Sequence, residues 1–360
     1  MDVLSVNNYQ KKGIKYLTFS NQDGKRWSVP TKNIRVAMEL YEPSSIKGKL
    51  LKKLLPVTTK LGVAKSILYG AYTSLEMSER LKQVLVNCFG EKWEYAVFWG
   101  TPCTDQKITI QIYREKEILG YCKIGNSERV KELFKHEKEV LEFLQQNDMQ
   151  HVPRCLALKQ IYDECWAFVQ STEKKVGKST EHAYGEKHRR FLDDLWKNTK
   201  TNVVFEKTDY YASLRYLEEH IDLICENYRS IIRDTLAKVK EYYSGREVEW
   251  GICHRDFTPW NTCLVNCNLF VFDFEYALFN APKYLDRWHY FVQGKLFEEK
   301  YSIQQIAKSY LQLSTTEKDE ITFKSYILDI ISLYLSRNSQ EDIESANSKA
   351  KLLYLINKGY

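Results

Sequence analysis

The 360-residue chain carries 53 Lys and Arg against 47 Asp and Glu, a formal charge of +6, with 44% hydrophobic and 28% charged residues. A single core usually stops growing at about 250–300 residues, so two lobes are expected, and an ordinary composition with seven prolines and fifteen glycines excludes a disordered or fibrous chain. The charge excess suits an anionic ligand but falls short of a nucleic-acid footprint, so no nucleic-acid partner is expected.

At the amino terminus, "MDVLSVNNYQKKG" lacks the apolar centre of a signal peptide, and no window of about 18 uncharged apolar residues occurs, which predicts a cytoplasmic protein. In "IKYLTFSNQDGKRWSVP" apolar and polar residues alternate on either side of Asp23-Gly24, a dipeptide suited to the positive φ of a tight hairpin. Residues 46–75 then hold six lysines (Lys47, Lys49, Lys52, Lys53, Lys60, Lys65) and no acid, interleaved with leucines, in a basic amphipathic segment broken by Pro56. Such a run is ordinarily a solvated face. An anionic surface at the inner side of the membrane, or a partner, is the alternative.

Strand signals follow in "YAVFWG", "KITIQIYR", "ILGYCKIG" and "CWAFVQS", interrupted by the helix "SERVKELFKHEKEVLEFLQQN". Val130, Leu133, Phe134, Val140, Leu141 and Leu144 make one apolar stripe on that helix, and Glu137 falls inside it. A buried, unpaired carboxylate costs several kcal/mol, so a cation is expected beside it, and Lys123, on the strand before the helix, is the candidate. After the polar linker "STEKKVGKSTEHAYG" the pattern is helical over 186–243, turns to an apolar hairpin around 248–273, and returns to helix. The organisation is thus an extension at 1–90 (a hairpin plus basic amphipathic helices), a β-rich lobe with one helix at 91–172, and a mainly helical lobe at 173–360.

Within the hairpin, "ICHRDFTPWNTCLV" sets His254, Arg255, Asp256 and Asn261 on one polar loop between strands, and Asp273 ends the returning strand "LFVFD". A carboxylate to orient an acceptor hydroxyl, together with oxygen ligands for a divalent ion, is what phosphoryl transfer requires. The nine cysteines, odd in number and without CxxC spacing, read as reduced thiols rather than a zinc site. Asp286 in "YLDRWHYF" reads as a helix N-cap, Trp260 and Trp288 as packing residues, and His136, His151, His182, His188, His220 and His289 have no ligand spacing.

H-R-D-x-x-x-x-N, an apolar hairpin ending in D-F-E, and an upstream strand lysine and helix glutamate together resemble the protein-kinase-like fold. The wording "HRDFTPWN…VFDFEYA" is most similar to the aminoglycoside phosphotransferase and choline kinase superfamily, especially relatives associated with bacterial surface-polysaccharide biosynthesis. The motifs span roughly 90–300. The resemblance implies an α+β, bilobal, kinase-like fold with a small β-rich N-lobe and a larger helical C-lobe, and a kinase using ATP and Mg2+ on the hydroxyl of a sugar, glycan intermediate or aminoalcohol. It further implies Asp256 as catalytic base, Asn261 and Asp273 as metal ligands with Glu275 as a further contact, Lys123 on the phosphates, Glu137 positioning Lys123, and His254 bracing the loop. Gln170, Ser171 and Thr172 would form the adenine hinge. The phosphate loop departs from the family, because "WGTPCTDQK" has only Gly100, so backbone amides with Thr101 and Thr104 must do the cradling. Arg255 stands where these kinases more often have glycine. No A-P-E element follows Asp273, which disfavours a protein kinase. A nucleotide-holding pseudokinase scaffold for polysaccharide enzymes is the second reading, but the core residues are intact.

Overall fold

A computed structural model of the chain describes residues 3–9, 13–43, 46–68, 70–102, 105–177, 180–313 and 317–359. They divide into two compact units, one of Met1–Gln145, His151–Ser179 and Leu264–Phe270, the other of Gln146–Gln150, Thr180–Cys263 and Val271–Tyr360. The first contains β1 (Leu4–Asn8), β2 (Tyr16–Ser20), β3 (Arg26–Pro30), α1 (Ile34–Ala37), α2 (Ile46–Lys60), α3 (Ala64–Ile67), β4 (Ala71–Met77) and α4 (Glu79–Phe89). There follow β5 (Glu94–Phe98), β6 (Ile108–Arg114), β7 (Glu117–Gly125), α5 (Glu128–Gln146, its last residue in the second unit), β8 (Cys155–Tyr162) and β9 (Cys165–Ser171). The nine strands form one antiparallel sheet in the order β1-β4-β2-β3-β5-β6-β7-β9-β8.

Strands from residues 4–77 therefore continue the sheet built by β5 to β9, joined where Trp27 and Ser28 pair with Phe98 and Val97. Period-two alternation explains how this sheet carries apolar groups on both faces. Ile110 and Ile112 of β6 and Cys122 and Ile124 of β7 pack with Leu81 and Leu85 of α4. Tyr113 and Tyr121 join Leu17, Phe19, Trp27 and Val29 in a separate cluster. In the β2–β3 hairpin only Gly24 takes positive φ, at 74°. The turn is instead held by the Asn21 side chain, which accepts from the amides of Asp23 at 3.1 Å and Lys25 at 2.9 Å. The basic helix also departs from expectation, because α2 runs on through Pro56. Fully buried Leu55 and half-buried Leu51 anchor it on the core, and that packing outweighs one lost backbone hydrogen bond.

The second unit holds α6 (Glu186–Thr199), α7 (Asp209–Glu219), α8 (Glu226–Tyr243), β10 (Gly251–Cys253) and β13 (Leu278–Ala281), together with the two ends of the hairpin of β11 (Thr262–Val265) and β12 (Asn268–Val271). Most of that hairpin is counted with the first unit. Next come α9 (Leu285–Gln293), α10 (Ile303–Leu313), α11 (Glu317–Arg337) and α12 (Gln340–Asn357). Phe323, Ile327, Leu328, Ile331 and Leu335 bury several sides of α11, as befits a helix packed against α7, α8, α9 and α12. The β11–β12 turn takes positive φ at both Asn266 (50°) and Cys267 (68°), the mirror-image geometry that matches strand twist. Among the described residues no helix is long and apolar enough to cross a membrane.

Candidate active site

In the first unit the alternation of β7 turns Lys123 away from Cys122 and Ile124 and toward α5. Glu137, on the buried stripe of α5 with no exposure, receives it: Lys123 Nζ lies 2.7 Å from Oε2 and 3.0 Å from Oε1. The expected ion pair is therefore present, and Glu132, Glu139 and Glu142 of the same helix are exposed as a solvated face should be. Gly100, beyond β5, has φ 85°, and a Cβ there would stand 2.3 Å from the Lys107 carbonyl oxygen, so the backbone admits only glycine. Thr101 is exposed in the same loop, and Thr104 lies outside the described residues. Gln170 and Ser171 end β9 and Thr172 follows it: the Ser171 hydroxyl accepts from the Arg154 amide at 2.9 Å, the Thr172 hydroxyl accepts from the Lys174 amide at 3.0 Å, and Gln170 Oε1 is buried without a hydrogen-bond partner among the described residues.

In the second unit the polar loop after β10 is held from several sides. The Asp286 carboxylate accepts from the backbone amides of His254 at 2.8 Å and Arg255 at 2.9 Å, and the Cys253 thiol donates to it at 3.3 Å. Asp286 thus lies inside α9, whose N-cap is Tyr284, and is neither that cap nor a free surface group. The Asp256 amide donates to His254 Nδ1 at 3.2 Å, which leaves the proton on Nε2 to be donated to the Phe272 carbonyl at 3.0 Å. His254 so ties the loop to the segment leading into Asp273. Arg255 takes a left-handed backbone (φ 67°) and sends its guanidinium bidentately to Asp329 of α11, at 2.9 and 3.0 Å, with a third bond to the Ser213 hydroxyl at 2.9 Å. This buried pair fixes Arg255 as an anchor of the loop.

Held in this way, Asp256 is half-buried and both its oxygens are engaged. Asn261 Nδ2 donates to Oδ2 at 2.7 Å and to the Asp256 carbonyl at 3.0 Å, while His289 Nε2 stands 3.4 Å from Oδ1. His289, which has no ligand spacing in the sequence, is 3% exposed, and its Nδ1 has no partner among the described residues. The Asn261 amide nitrogen is committed to Asp256, which leaves its oxygen to face elsewhere. Asp273 (φ 76°) and buried Glu275 each bring a carboxylate oxygen within 4.8 Å of the other. These amide and carboxylate oxygens are hard donors that fit magnesium or manganese better than zinc. Nearby Tyr276 has its phenol pushed up, first by burial and then by the Glu275 charge, so it stays neutral. Trp288 packs in the core as expected, whereas Trp260 is 39% exposed, edge-on to Phe297 at 5.7 Å.

No protein-family model matches the chain, and no curated protein matches it by sequence. Solved structures do. A thermostable mutant of aminoglycoside phosphotransferase APH(4)-Ia in ternary complex with AMP-PNP and hygromycin B is 11% identical, with 79% of this chain and 100% of that chain covered at a TM-score of 0.52. A second such mutant, in complex with ADP and hygromycin B, is 11% identical over 76% of this chain and 98% of that one, at a TM-score of 0.51. The fold is that of a kinase-like phosphotransferase. Within it the sequence-predicted residues fall into two sets, Lys123 with Glu137 in the first unit and Asp256 with Asn261, beside Asp273 with Glu275, in the second. Asp286, His289, Ser213 and Asp329 were missed. The lone carboxylate of Asp286 among buried Leu285, Trp288 and His289 is the same kind of signal that singled out Glu137.

Proposed function

We propose that the protein is an ATP- and magnesium-dependent phosphotransferase that moves the γ-phosphate to a hydroxyl of a small molecule, a sugar, glycan intermediate or aminoalcohol, in surface-polysaccharide biosynthesis. The observation that carries this proposal is Asp256, a half-buried carboxylate held at both oxygens on a loop whose backbone is pinned by Asp286. Sharing its fold with an enzyme crystallised with AMP-PNP and hygromycin B supports a nucleotide and a small-molecule acceptor.

Asp256 accepts the acceptor's hydroxyl proton and aligns the oxygen for attack, its charge oriented by Asn261. Lys123, steadied by Glu137, neutralises the α- and β-phosphates. Gly100, Thr101 and Thr104 cover the phosphates, and the backbone at Gln170, Ser171 and Thr172 holds the adenine. Asn261, Asp273 and Glu275 would hold magnesium, which when bound supplies charge neutralisation on the phosphates. In this account residues 91–172 bind nucleotide, 173–360 supply the catalytic loop, and 1–90 is an extension. The protein works in the cytoplasm, with residues 46–75 meeting a partner or the inner face of the membrane.

The test is ATP consumption screened over sugars, glycan intermediates and aminoalcohols, with Asp256→Asn as control. Loss of the base lowers turnover by about 10²- to 10⁴-fold and leaves ATP affinity nearly unchanged. Equal turnover by the variant overturns the base assignment, and nucleotide binding with no turnover on any acceptor class favours a pseudokinase scaffold.

A further inference from the structure

Thirteen large hydrophobic residues are exposed among the described residues, and six of them, Leu50, Leu54, Val57, Leu61, Val63 and Ile67, fall within eighteen consecutive positions on α2, the turn after it and α3. Four of the six follow the i, i+4, i+7, i+11 rule, so at 100° per residue they lie within about 60° of one another on α2 and the turn that follows it. Leu51 and Leu55 point the other way, into the core, and Lys52 on the inner side reaches Glu39 at 3.5 Å. The outward stripe is therefore not an unfolded helix's leftover; the helix is already anchored and still presents a second apolar face. Leu61, at 70% exposure, is its most open member. An apolar face of this kind on a folded chain marks an interaction surface.

Charge identifies what covers it. Exposed Lys49, Lys53 and Lys60 line one flank of the stripe and exposed Lys65 follows on α3, with no acidic partner for any of them among the described residues. Residues 46–75 contain no acid at all. A second copy of the chain would gather these lysines against each other, and a neutral partner would leave them unused. An anionic surface satisfies both features together. We infer that the outward face of α2 and α3 seats the protein on an anionic lipid bilayer, Leu50, Leu54, Val57 and Leu61 entering the acyl boundary and Lys49, Lys53, Lys60 and Lys65 meeting the headgroups.

This deepens the proposal that residues 46–75 meet a partner or a membrane and does not depend on phosphoryl transfer. The experiment is flotation of the full chain with vesicles of neutral phosphatidylcholine and with vesicles containing about 30% phosphatidylserine. Binding is expected to be at least roughly tenfold tighter on the anionic vesicles, because each lysine near the surface adds to the attraction. It should fall to the neutral level in Lys53→Gln/Lys60→Gln and disappear in Leu54→Glu/Leu61→Glu, both of which alter exposed side chains and should keep the wild-type circular dichroism. Nucleotide binding measured in parallel separates the two proposals, since it should be unchanged in all three proteins. No flotation on either vesicle, equal flotation on both, or a concentration-dependent dimer that Leu54→Glu abolishes overturns the inference.

Discussion

Replacing Asp286 by alanine removes the acceptor that holds the loop carrying Asp256, the proposed base. Its carboxylate takes hydrogen bonds from two consecutive backbone amides, His254 at 2.8 Å and Arg255 at 2.9 Å, and the residue is 5% exposed, so water does not readily replace it. Hydrogen bonds to a charged acceptor contribute about 1.5–3 kcal/mol each, so the pair amounts to about 3–6 kcal/mol of local stability. Arg255 sits at positive φ, a conformation that a non-glycine residue keeps only when its surroundings impose it. Amide hydrogen exchange reads this directly. At 1.4 kcal/mol per factor of ten, the amides of His254 and Arg255 should exchange at least about 10²-fold faster in Asp286→Ala, with a smaller effect in Asp286→Asn, which retains one acceptor oxygen. Turnover should fall with the loop's order while nucleotide affinity is kept. Exchange at both amides within a few-fold of wild type would show that Asp286 is not what pins the loop.

Glu137→Leu should cost about 3–5 kcal/mol by removing the carboxylate that meets the buried Lys123 ammonium with both oxygens, and Lys123→Met in the same chain should recover most of it; equal denaturation midpoints for the single and double variants would deny the coupling. His188 is buried, and burial lowers its pKa from 6.5 to about 4, so the unfolded chain takes up a proton below 6.5 that the folded chain refuses until about 4. Its contribution is therefore fully present above pH 6.5 and lost as pH falls toward 4, by about 3 kcal/mol. His188→Gln, which keeps an acceptor for the Gly185 amide, should flatten that part of the stability profile, and parallel wild-type and variant profiles would refute the assignment.

How much of this was legible in the sequence depended on whether the signal was local. Glu137 could be found because a carboxylate breaks an apolar stripe whose period is visible within one helix, and its partner lay on the neighbouring strand. The Asp256 and Asn261 pairing was likewise contained in a five-residue spacing, and the structure closes it with a hydrogen bond. Asp286 and His289 were not legible as loop contacts, since they come from a helix about thirty residues away and local rules gave Asp286 to a cap. Arg255 finds Asp329 across an even longer separation. Pro56 was read by its intrinsic cost, which packing of Leu55 overrides. Pairing of β1 with β4 lies beyond any local pattern, because register between distant strands is set by the assembled sheet.

That pairing bears on how the chain can be cut. Leu4 meets Met77 across the sheet, and β3 covers the flank of β5. A fragment begun near residue 91 to isolate strands β5 to β9 would leave β5 as a bare edge, a row of unanswered amides and carbonyls ready to recruit another chain. It would also strip Tyr16 from the cluster around Val97, and Leu17, Trp27 and Val29 from the cluster around Tyr113. During synthesis β1 must likewise wait for β4 to emerge before its edge can be paired.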